Sequence, residues 1–295
     1  MKAALLPDRG VVKVAGTDAR KLLNGLVTAD IGKVTEQSPA FAALLTPQGK
    51  IIVDFIVVGD DESFFLDCPR ARATTLVERL GFYKLRAKVM IEDVSDLVVV
   101  MAIWDGAASA HWGVDYPDPR LPVLGRRCIS PPQSADAAAA YGAELVDAAA
   151  YEAHRIALGV PAGGLDFAYG DAFPHEADMD QLNGIDFQKG CFIGQEVVSR
   201  MEHRGTARSR VVPVALGANA PATGSAVTAD GKQMGVLGSA AGRRGLALLR
   251  LDRVDEALAG GASLQAGGVA LKLVKPAWAR FAFPGDAAPG SEAAQ

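Results

Sequence analysis

Apolar residues recur along this chain in two periods, and the switches between them outline its elements. Residues 11–14 form a short apolar run broken by Lys13, which predicts a strand. Thr17 then offers a helix N-cap, with Asp18 in the favourable first turn and Leu22, Leu23 and Leu26 at helical spacing. Residues 40–45 and 50–58 are β-rich runs joined by Thr46-Pro47-Gln48-Gly49, a turn signature, so they predict a hairpin. Segments 64–67, 87–92 and 97–103 read as further strands. Segment 72–80 reads as a helix burying Leu76, Val77 and Leu80. Hairpins mixed with short helices predict the α+β class, since a doubly wound sheet would alternate regularly.

The second half has another texture. Residues 104–140 are rich in Ala, Gly and Pro, with Pro117, Pro119 and Pro122 in an irregular connection and a short strand at 128–130. Residues 148–158 predict a helix with Tyr151, Ile156 and Leu158 available to the core. Ile193, Val197, Val198 and Met201 predict one more, with Glu196 and Arg200 on its other face and Gly205 as C-cap. From 210 onward short β runs alternate with Gly231, Gly235, Gly238, Gly242 and Gly245, which predicts a small C-terminal β-barrel or sandwich. The tail, 284–295, is small, polar and predicted to be disordered.

At 295 residues the chain has room for two or three domains. Thirty Lys and Arg against 34 Asp and Glu give a net charge of −4, which argues against direct nucleic-acid binding. No apolar run reaches membrane-spanning length, and the N-terminus lacks the apolar core of a secretion signal, so a cytoplasmic protein is expected. Cys68, Cys128 and Cys191 are far apart and odd in number, implying no disulfide framework. His111, His154, His175 and His203 show no ligand spacing, so no metal site is expected. Lys189, Arg200, Arg204, Arg208 and Arg210 form a cationic group in sequence. It reads either as a solvated face or as an anion site for a ligand's acidic tail or a partner's acidic surface.

The segment Gln188-Lys189-Gly190-Cys191-Phe192-Ile193-Gly194-Gln195-Glu196 carries the most information. A lone cysteine is most often a small packing residue. Here glycines flank it, a helix start follows, and Lys189 is near, a setting that favours a reactive thiolate. This segment resembles the signature of the YgfZ-type folate-binding proteins. These are relatives of the glycine-cleavage T-protein (aminomethyltransferase) and of a mitochondrial iron–sulfur assembly factor. Segments 16–30, 45–55 and 155–161 and the run Pro174-His175-Glu176 resemble the same family.

The resemblance implies a T-protein-like arrangement of three subdomains around a central channel that holds a tetrahydrofolate. A folate-binding subdomain would comprise 1–45 and 145–206, an α+β subdomain 46–144, and a barrel 207–283. Asp54, Glu176, Lys189 and Arg200 are the implied folate contacts, and Cys191 and Asp54 the implied catalytic pair. The T-protein has two adjacent aspartates where this chain has Val53 and Asp54, so aminomethyl transfer is disfavoured. The implied function is a folate-binding accessory role in assembling iron–sulfur client proteins, with indirect support of tRNA modification. A tetrahydrofolate-dependent one-carbon transferase is the alternative.

Overall fold

The architecture is two five-stranded sheets packed over a shared core, followed by a closed six-stranded barrel. The computed structural model describes residues 1–59, 62–106, 113–134, 142–205 and 207–286. His111 and residues 287–295 of the expected tail lie outside the described residues. The first sheet has the order β10-β1-β7-β9-β8, built from β1 (Lys2–Leu5), β7 (Val99–Trp104), β8 (Val114–Pro117), β9 (Arg126–Ser130) and β10 (Glu144–Leu145). The second has the order β3-β4-β5-β2-β6, built from β2 (Arg9–Ala15), β3 (Ala40–Leu45), β4 (Ile51–Gly59), β5 (Ser63–Pro69) and β6 (Met90–Asp93). All pairings within these sheets are antiparallel except β1 with β10.

Successive side chains of a strand point to opposite faces, and β4 shows what that does here. Val53, Phe55 and Val57 enter a layer covered by the helices α1 (Ala19–Leu26) and α2 (Ala73–Lys84). Ile56 and Val58 enter the other layer, where they meet Ala102, Trp104 and Ile129 of the first sheet. Asp54 lies on this second face, between the two sheets. Tyr151 of helix α3 (Ala148–Ala157) and the loop residues Phe167, Met179 and Phe192 complete that core.

Helix α4 (Gln195–Arg204) ends at Gly205, whose φ of 58° is the left-handed C-cap expected. The barrel comprises β11 (Ser209–Leu216), β12 (Ala226–Ala229), β13 (Lys232–Ala241), β14 (Arg244–Arg250), β15 (Leu264–Ala266) and β16 (Val269–Leu273), with α5 (Leu251–Ala259) packed on it. Val212, Leu237, Leu249 and Leu271 belong to its core.

Some boundaries differ from the pattern. The cap of α1 is Asp18, not Thr17, and its carboxylate accepts from the Lys88 N–H at 2.8 Å. Strand β6 starts at Met90, not at 87, because the backbone reverses at Leu85, whose φ is +44°. The subdomain boundary drawn at 45/46 falls in the turn between β3 and β4, which pair in one sheet, and the one at 144/145 falls inside β10.

Candidate functional site

Asp54 borders a cavity of about 280 Å³ between the sheets, walled also by Arg9, Arg120, Arg127, Tyr151, Glu152, Arg155 and residues 161–165. Tyr169 donates a hydrogen bond to Asp54 Oδ1, and the Arg72 guanidinium lies 4.7 Å from the Tyr169 ring centroid. Burial, and after it the Asp54 charge, push the Tyr169 phenol up, so it stays protonated and donates.

The arginines belong to a buried network. Asp67, fully buried, accepts from Arg9 Nε at 2.7 Å, Arg127 Nη1 at 2.6 Å and the Tyr116 hydroxyl at 3.1 Å. Burial alone would raise the Asp67 pKa, but Arg9 and Arg127 outweigh it and hold the carboxyl below its usual value. Asp118 likewise accepts both prongs of Arg120 at 2.9 and 2.6 Å and Arg127 Nε at 3.3 Å. Burial opposes its ionisation, yet the two guanidiniums bring its pKa to about 2. Arg155 bonds Asp166 at 2.9 Å and the Val160 carbonyl at 2.6 Å. Paired buried guanidiniums fix the walls, so the cavity is rigid and polar.

Cys191 is elsewhere. Its thiol is exposed and free, while Cys68 and Cys128 are buried with pKa values pushed up to about 12 by that burial. The cysteine is held on both sides. Asp186 Oδ1 accepts from the N–H groups of Gln188 and Lys189 at 2.8 and 3.1 Å, bending the chain into a tight turn. The Lys189 ammonium then runs inward to the carbonyls of Asn24, Val27 and Ala29 at 2.8, 2.7 and 2.6 Å. Burial brings its pKa down to about 8, with Asp30 and Asp186 opposing. Phe192 is buried on the other side. Three residues after Cys191, Gly194 has φ +80°, and an added Cβ would stand 2.7 Å from the Thr46 carbonyl oxygen. The helix start therefore abuts the hairpin turn backbone to backbone.

The structure separates the residues expected to act together. Lys189 spends all three N–H donors on the end of α1, so it faces neither the thiol nor a ligand. Glu176 accepts from the Phe173 N–H at 2.8 Å, capping its own turn, and lines none of the described cavities. Arg200 is exposed on α4 and also lines none of them. The cationic cluster is dispersed. Arg210 is buried and pairs with Asp180 at 2.8 and 2.9 Å and with Asp178 at 3.0 Å, fastening β11 to the 175–180 turn. Among the described residues, His175, Asp180 and Glu202 bring one ligand atom each within 4.8 Å of one another, a convergence their sequence spacing does not show. Both Asp180 oxygens are occupied by Arg210, and Glu202 lies 3.1 Å from His175 Nε2, so an ion-pair network accounts for the group.

The family described as CAF17, C-terminal beta-barrel domain, matches residues 208–281, the barrel seen here. The human mitochondrial iron–sulfur cluster assembly factor IBA57 is 31% identical over 301 residues, covering 92% of this chain and 84% of its own. The chain belongs to the IBA57 family. A mitochondrial IBA57 homologue from Mycosarcoma maydis is 37% identical over 232 residues, and one from Neurospora crassa 32%. The matches span 57% and 53% of these two fungal relatives, about half their length. The glycine cleavage system aminomethyltransferase T from Bartonella henselae superposes with a TM-score of 0.75 at 16% identity, over 96% of this chain and 87% of that one. The fold is thus the aminomethyltransferase T fold, as the resemblance implied.

Membership in the IBA57 family corrects one expectation. A cytoplasmic location does not stand, because these relatives are mitochondrial proteins. That expectation rested on a missing apolar leader, which marks secretion and carries no information about organelles.

Proposed function

We propose that this chain serves in iron–sulfur cluster assembly, that the cavity at Asp54 binds a reduced folate, and that Cys191 meets iron–sulfur client proteins. The cavity carries the folate reading. Asp54, one oxygen engaged by Tyr169, stands in a walled polar space that a pterin's amino and ring N–H groups match. Val53, where the T-protein has its first aspartate, is fully buried in the opposite layer and lines none of the described cavities, which disfavours aminomethyl transfer. Support for the cluster role comes from the family and from an exposed, clamped thiol, which suits transient ligation or mixed-disulfide exchange with a client. A YgfZ-type role, with tRNA modification aided through client enzymes, is the finer form of this reading.

Titration calorimetry with tetrahydrofolate tests the folate site. Saturable binding is expected, weakened by Asp54→Ala by roughly 1.5–3 kcal/mol, the worth of a hydrogen bond to a charged group. No heat at millimolar folate overturns it.

A further inference from the structure

Of nine exposed large apolar side chains among the described residues, three fall within residues 82–90: Phe82, Leu85 and Met90, at 75%, 88% and 52% exposure. The same stretch carries Lys84, Arg86 and Lys88, with Arg79 just before it, and residues 79–91 contain no Asp or Glu. None of these four cations has an ion-pair partner in the described structure. A chain of net charge −4 has thus gathered unpaired positive charge and exposed apolar surface in one place.

The backbone adds two features. Strand β6 is the last of its sheet; β2 pairs with one side, and no described strand pairs with the other. Leu85 has φ +44°, a left-handed conformation unfavourable for a branched side chain, and it projects almost wholly into solvent. Helix α2 packs against β6 on the side of Ile91, and Met90 points to the other face of the sheet, so the open edge of the strand is flanked by the last turn of α2 and the link 85–89. Of the two carboxylates on β6, Glu92 stands opposite Lys13 in the β2–β6 register and Asp93 accepts from the Ser95 N–H and hydroxyl, so the unpaired positive charge lies at the 84–88 end.

We propose that this face docks an acidic, extended segment of a partner protein, which adds as a strand to the open edge of β6. The open backbone groups select a peptide, because only another backbone can complete the ladder. The unpaired cations select acidic side chains, and Leu85 and Met90 take the apolar residues between them. Phe82 packs edge-on against Tyr83, with ring centroids 5.2 Å apart. The inference is independent of the folate cavity.

Fluorescence anisotropy with a labelled peptide of about twelve residues, alternating Glu with Val, tests it. Saturable binding is expected, weakening at least about tenfold when salt rises from roughly 50 to 500 mM. Arg86→Glu with Lys88→Glu, and separately Leu85→Ser, should each weaken it about tenfold or more. All three positions are exposed, so unchanged thermal melts are expected for both variants. No saturable binding, equal affinity in the variants, or equally tight binding of phosphatidylserine vesicles or a single-stranded oligonucleotide overturns the proposal.

Discussion

At the scale of single residues, the fold presents one thiol of three to solvent. Lys189 and Phe192 are buried on either side of an exposed Cys191, so the loop is anchored by its neighbours while the sulfur stays in water. Alkylation of the native protein near neutral pH should therefore modify Cys191 first. Cys68 and Cys128, buried and pushed up to about 12, should react only on unfolding. Peptide mass spectrometry before and after denaturation separates these outcomes; native labelling at Cys68 would contradict the burial. The role of Lys189 was not legible in the sequence. Its neighbour Cys191 suggested an activating charge, whereas its true partners are carbonyls more than 150 residues away in sequence.

At the scale of elements, local pattern was a reliable guide where a segment is long enough to show a period or a continuous apolar run. The β3–β4 hairpin, strands β2 and β5, and helices α3 and α4 all stand close to where periodicity put them. Strands β8 and β10 escaped because they are four and two residues long, too short to establish a period. The contact between α4 and the hairpin turn was equally invisible, since it depends on two glycines, Gly49 and Gly194, 145 positions apart. Gly194→Ala should test it. The new Cβ would meet the Thr46 carbonyl at 2.7 Å in a left-handed backbone at φ +80°. A loss of about 1–3 kcal/mol in urea unfolding is expected. Gly190→Ala, with nothing within 4 Å of the added carbon, should cost far less.

At the scale of the whole molecule, the two sheets are tied by charge as well as by apolar packing. Asp118 has a pKa of about 2 in the folded protein against an ordinary 3.8. A depressed carboxylate contributes stability above pH 3.8, and this is lost as the pH falls through 2. Urea midpoints measured from pH 5 down to 2 should fall, and Asp118→Asn should flatten that slope by roughly 2 kcal/mol. An unchanged slope would show that Asp118 is ordinary.

This network could not be read from the sequence, because its partners are not neighbours. Asp67 joins Arg9, 58 residues before it, and Arg127, 60 residues after it. That spacing has a consequence in time. A ribosome adding roughly 5–20 residues each second takes several seconds to travel from Asp67 to Arg127. Throughout that interval the carboxylate has only one of its two guanidiniums, and sealing it away from water half-paired is costly. Asp67 can be sealed only after β9 has emerged, and the core between the sheets closes later still, once Tyr151, Phe167, Met179 and Phe192 have followed.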